Sequence, residues 1–160
     1  MTYWKHQTNA KQGSNFPYPY VDGAVFEEGN LSYSGRLYLW NPNYAIMYGY
    51  ATPNLHGDVG ISVFYGGGKL YPSIAVGIYN NFSNSYNSTS SSIELTPSVI
   101  GTSSPRSEDW GDFIRLRSYG GNDMVWISTG FTAVHRNNQD IIQPIYIIFG
   151  RAGDMRNLPQ

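Results

Sequence analysis

The chain has 160 residues, the length of one cooperative domain that removes about 70% of its unfolded surface from water. Charged residues make up only 13% and aromatic residues 16%, led by 14 Tyr, so the surface works through hydrogen bonds and ring faces more than through charge. A formal net charge of -1, with no run of Lys and Arg, gives no field to collect a phosphate backbone or anionic lipid and excludes nucleic acid as an expected partner. The absence of Cys excludes disulfides and thiolate metal sites.

Residues 1–20 carry Lys5, His6 and Lys11 among polar residues and lack the apolar stretch of about seven residues that a signal peptide needs. They are expected as a mobile N-terminal extension. No segment approaches the ~20 apolar residues of a membrane-spanning helix. From residue 21 onward apolar residues recur at alternate positions or in short runs broken by Gly, Pro, Asn and Ser, which is strand patterning. The predicted strands are Ala24–Glu27, Arg36–Trp40, Ile46–Ala51, Val59–Tyr65, Ile74–Tyr79, Ile93–Leu95, Asp112–Arg117, Val125–Phe131 and Ile141–Phe149. Residues 21–151 therefore read as a single antiparallel all-β domain, with 152–160 as a tail. Many short strands with turns between them belong to a sandwich, a barrel or propeller blades.

Asn54-Leu-His-Gly-Asp58 and Tyr119-Gly-Gly-Asn-Asp123 supply turn formers between apolar runs and predict two hairpins. Gly66-Gly-Gly-Lys69 shares its last letters with a phosphate loop. Leu70 stands where that loop needs Ser or Thr, and Pro72 discourages the required helix, so the segment reads as a turn between strands. Residues 80–92 form an uncharged, low-complexity stretch read as a long surface loop. Its two glycosylation sequons are the chance product of so much Asn and Ser. Gly57-Asp-Val-Gly-Ile-Ser-Val63 aligns weakly with Gly111-Asp-Phe-Ile-Arg-Leu-Arg117, about fifty residues on, close to the length of one propeller blade.

Three stretches carry a family likeness: Trp40-Asn-Pro-Asn-Tyr-Ala45 through Gly66-Gly-Gly-Lys-Leu-Tyr-Pro-Ser-Ile-Ala-Val-Gly77, then Asp109-Trp-Gly-Asp-Phe-Ile-Arg-Leu-Arg117 through Trp126-Ile-Ser-Thr-Gly130, and Gln143-Pro-Ile-Tyr-Ile-Ile-Phe-Gly-Arg151. In this order and spacing the chain resembles the C-terminal blades of bacterial sialidase-like (BNR-type) propeller proteins. The resemblance implies propeller-like blades, with a β-sandwich as the alternative, and an extracellular or cell-surface setting. Ser107, Asp109 and Gly111 fit the first half of that family's structural Asp-box turn, while Ile114 stands where its closing Trp belongs. A propeller needs at least four blades of about forty to fifty residues, and this length accommodates about three. The likeness thus implies the end of a longer protein, a truncated homologue, or a chain that completes its ring or exposed strand edges by self-association.

Sialidases of this resemblance use three Arg, a Tyr nucleophile activated by a Glu, and an Asp acid. Arg36, Arg115, Arg117, Tyr48, Tyr50, Tyr119, Glu108 and Asp109 supply the residue types, yet none matches a family catalytic motif and no catalytic role carries over. Arg115 and Arg117, two apart on one strand, face the same way and form the best anion-binding signal, against the alternative of a solvated face paired with Glu108, Asp109 or Asp112. Tyr18, Tyr20, Tyr48, Tyr50, Tyr65 and Trp110 are candidate platforms for sugar rings, against the alternative of strand packing. Glu108, Asp109, Asp112 and Asp123 match no calcium-loop spacing, and His6, His56 and His135 show no metal-ligand spacing, so no metal and no cofactor is expected. Two functions remain open: a module without a complete catalytic site that binds glycan or a protein surface, or the C-terminal part of a sialidase-like hydrolase whose catalytic blades lie on other sequence. A ligand-free structural sandwich is a third, more distant reading.

Overall fold

The run Val59-Gly-Ile-Ser-Val-Phe-Tyr65 has no solvent-facing alternation, and a strand with such a run must be covered on both faces. That requirement organises the molecule. The computed structural model describes residues 3–7, 16–27, 29–79, 93–105, 110–111, 113–156 and 158. It is all-β, with three antiparallel sheets taken in chain order and none closed into a barrel among the described residues. The first sheet is β1 (Tyr3–Gln7), β2 (Tyr20–Phe26) and β3 (Tyr33–Leu39). The second is β4 (Ala45–Pro53), β5 (Val59–Gly67), β6 (Leu70–Tyr79) and β7 (Ile93–Val99). The third is β8 (Arg115–Tyr119), β9 (Asn122–Arg136) and β10 (Gln139–Phe149), followed by the short helix α1 (Ala152–Met155). Within each sheet the strands neighbour one another in sequence order, so each is a meander.

The middle sheet is covered on both faces. Ile61, Val63 and Tyr65 of β5 and Ala75 of β6 pack with Val21, Leu37 and Leu39 of the first sheet. Residues of opposite parity, Phe64 on β5 and Ile74 on β6, pack with Ile145 on the third and with Ile114 just ahead of it. Ser62 sits among the latter without penalty because its hydroxyl bonds the Ser128 hydroxyl at 2.7 Å, so two buried polar groups satisfy each other. Trp126, fully buried, donates its Nε1 hydrogen to the Thr52 carbonyl at 2.9 Å. Two glycines admit this close approach. A Cβ on Gly60 would lie 2.6 Å from the Trp126 ring, and one on Gly130 would lie 2.7 Å from the Ile74 Cδ1.

Both predicted hairpin turns form, and they meet. The Asn54 side chain accepts from His56 N and Asp58 N at 3.0 and 2.9 Å and donates to the Met124 carbonyl at 3.2 Å, while Leu55 N donates to the Asp123 carbonyl at 3.1 Å. Arg151, just beyond β10, closes the corner with two 2.9 Å bonds to the Asp58 carboxylate. That hydrogen bonding holds Asp58 below the usual carboxylate range and raises Arg151. Within Gly66–Lys69 the expected turn forms at Gly68 and Lys69, between β5 and β6.

Several features differ from the sequence expectation. β1 lies in the segment expected to be a mobile extension and pairs with β2. β8 begins at Arg115, leaving Phe113 and Ile114 ahead of it. β9 runs on to Arg136 because Asn137 and Asn138, both at positive φ, make the two-residue turn whose twist suits a hairpin and let β10 pair along its whole length. The two Gly-Asp segments enter non-equivalent strands, the second strand of the middle sheet and the first of the third, so the apparent repeat marks no structural repeat among the described residues. The 80–92 loop lies outside the described residues.

Two outcomes test this packing. Gly60→Ala forces a methyl group against a fully buried indole and is expected to cost about 1–3 kcal/mol in chemical denaturation, with Gly29→Ala, which meets nothing within 4 Å, as the control. The Asp58–Arg151 pair contributes fully above the unfolded carboxylate value and is lost as pH falls through the lowered native value. The wild type should therefore lose stability relative to Arg151→Ala between about pH 5 and pH 2 in thermal melts.

Candidate functional site

The first strands of successive sheets lie side by side: β4 touches β1 and β2 on one side and β8 on the other. At the β4–β8 seam the ladder slips. Met47 pairs with Phe64 and Tyr50 with Ser62, so Tyr48 and Gly49 share the space opposite Val63. This is a β-bulge, a device that redirects a side chain. Tyr48 takes the extra turn with φ at 54°, in the left-handed region, which costs a side chain about 1–2 kcal/mol.

The redirected Tyr48 ring meets the buried Phe64 edge-on at 6.2 Å. Tyr48, Gly49 and Tyr50 then form one wall of an open cavity of about 490 Å³. The facing wall comes from Phe113, Ile114 and Arg115 at the entry to β8 and from Thr129 on β9. Arg115 is exposed, its neighbour Leu116 is buried, and Arg117 is exposed again, so the two guanidinium groups share a face as expected. Arg115 lines the cavity and Arg117 does not. Neither makes an ion pair with a described residue. A permanent cation, two tyrosines and a threonine thus line one space, residue types able to hold an anionic group beside a ring. Next to it, and sharing Phe113 and Thr129, lies a second cavity of about 780 Å³ with Ile141, Ile142 and Pro144 on its far side.

The other candidate residues lie elsewhere. Trp110 belongs to the core, its ring 4.8 Å from that of Phe64, because the space above Phe64 must be filled when the two sheets stack. Tyr65 is likewise buried in the first apolar cluster, where burial raises its phenol. Arg36 is on β3, away from the cavity, held by the Asp22 carboxylate, which raises its guanidinium further. Its Cζ lies 4.7 Å from the centre of the Tyr38 ring. Ser107, Glu108, Asp109 and Asp112 lie outside the described residues, so of the Asp-box-like turn only Gly111 is described. No group of three His, Cys, Asp or Glu is placed to hold a metal among the described residues. Sequence reasoning missed Phe113, Thr129 and the bulge. A glycine inside an aromatic strand, Tyr48-Gly49-Tyr50, was the available signal for the bulge.

Backbone strain at Tyr48 separates from packing by comparing two variants. Tyr48→Gly and Tyr48→Ala both lose the ring, but only glycine takes positive φ freely, so Tyr48→Gly should be the more stable by about 1 kcal/mol in urea denaturation. Equal stabilities would show that Tyr48 is not held in the left-handed region. Compared with protein families, with characterised proteins and with solved structures, the chain matches none.

Proposed function

We propose that the chain is a propeller-like binding module without a complete catalytic site, and that it binds an acidic sugar in the cavity between β4 and β8. The observation that carries this reading is the convergence of Arg115, Tyr48 and Tyr50 on one space, obtained by holding Tyr48 in a strained bulge. Strain of this kind persists only where the surroundings over-determine it, and it concentrates at ligand sites. A carboxylate sugar satisfies both halves of the site: its charge meets the guanidinium and its C–H face meets a tyrosine ring.

The propeller-like part of the reading rests on three meanders that follow one another in chain order, stack face to face, and bring their first strands together. In that arrangement the cavity occupies the side towards which first strands converge. The same geometry supports a second reading, in which these sheets are the last part of a sialidase-like hydrolase and Arg115 is one element of a larger anion site. Association through strand edges has less support, since β7 and β10, each the last strand of its sheet, carry Pro97 and Pro144, which lack the donor that edge pairing uses.

The test is titration of the chain with N-acetylneuraminic acid and with glucuronic acid, followed by calorimetry or by NMR line broadening. Binding of at least one is expected. Arg115→Ala should weaken it by tenfold or more, about 1.4 kcal/mol, while Arg117→Ala should change it little. Equal binding of a neutral sugar, or wild-type affinity in Arg115→Ala, would remove the acidic-sugar reading.

A further inference from the structure

The first sheet has two faces of different chemistry. Its inner face packs on the middle sheet through the aliphatic side chains of Val21, Leu37 and Leu39. Its other face presents Tyr20, Asp22, Arg36 and Tyr38, joined by Trp40 just after β3 and by Phe16 ahead of β2. Phe16 stacks on Tyr20 at 4.5 Å and on Tyr38 at 5.9 Å, and it meets Trp40 edge-on at 5.3 Å. Tyr38 and Trp40 remain 41% and 45% exposed, whereas Tyr20 is buried beneath them. Beside these rings Asp22 and Arg36 are locked in a two-point ion pair, with the guanidinium over the Tyr38 ring.

We propose that this face is a second ligand site, separate from the β4–β8 cavity, that takes the pyranose rings of a neutral polysaccharide. The packed layers of this chain hold rings such as Phe64, Tyr65 and Trp110 beside Val, Leu and Ile, but no buried charged side chain among the described residues, whereas this face holds an ion pair. The aromatic face has the two components a sugar needs. The half-exposed Trp40 indole receives the axial C–H groups. A carboxylate and a guanidinium, already oriented by each other, accept from and donate to the ring hydroxyls with little side-chain entropy left to lose. Trp40 stands two residues beyond Tyr38, just past the end of β3, and is the stacking platform of this face, because the Tyr38 ring is already taken by the Arg36 guanidinium and by Phe16. Among the described side chains of this face the pairing of Asp22 with Arg36 leaves no unbalanced charge, which favours neutral sugar here and sets this face apart from the Arg115 cavity.

Affinity electrophoresis of the full chain through gels containing hydroxyethyl cellulose, xylan or galactomannan tests the assignment. At least one polysaccharide should retard the wild type, and Trp40→Ala should weaken that binding by about tenfold. Trp40→Phe, which keeps a ring and guards against loss of fold, should retain most of it, and Arg115→Ala should behave as wild type, which separates this site from the cavity. Three results would overturn the proposal: no retardation by any of the three polymers, equal retardation of wild type and Trp40→Ala, or an unretarded dimer that Trp40→Ala converts to monomer in light scattering. The last would give the face to a second copy of the chain.

Discussion

Strand β5 is covered on both sides, and the rest of the molecule is arranged around that constraint. Ile61, Val63 and Tyr65 need one apolar partner layer and Phe64 needs another, so the middle sheet cannot fold as a half-solvated meander and recruits a sheet on each face. The polar residue in the run, Ser62, is tolerated because Ser128 arrives opposite it, and the indole of Trp126 fits because Gly60 has no side chain there. Loss of either match would cost more than the local contact, since close-packed sheets transmit misfit along the strand.

The same stacking produces the cavity. Bringing β4 against β8 places a strand edge beside the entrance of the next sheet, and the bulge at Tyr48 and Gly49 prevents simple continuation of the ladder there. Two rings and a guanidinium then line a space that close sheet packing alone would have filled. The aromatic face of the first sheet has a different origin. It lies opposite the face that packs on the middle sheet, and it differs from the covered faces in holding an ion pair among its rings.

Much of the local structure was legible. Alternation and short apolar runs located nine of the ten strands because side-chain period and turn residues act over a few positions only. The two Gly-containing hairpins were legible for the same reason. Asn137-Asn138 was equally local, and reading it would have placed the end of β9 correctly. The site was legible in part. Arg115 and Arg117 on one face follow from period two, but their different surroundings do not, because one borders β4 and the other does not.

The sequence by itself determined that this chain is all-β, where its strands and main turns fall, and that its surface relies on rings and hydrogen bonds more than on charge, since all of these depend on neighbouring residues and bulk composition. Only the tertiary structure decided which aromatics are core and which are available. Trp110, Tyr65, Tyr48 and Trp40 are interchangeable as letters in a strand-rich sequence, yet the first two fill space between sheets, the third lines a cavity at the edge of the core and the fourth stands on an outer face. The physical reason is that burial is a property of the stack. A ring's partners come from strands tens of residues away, and no local pattern encodes which sheet will lie above it.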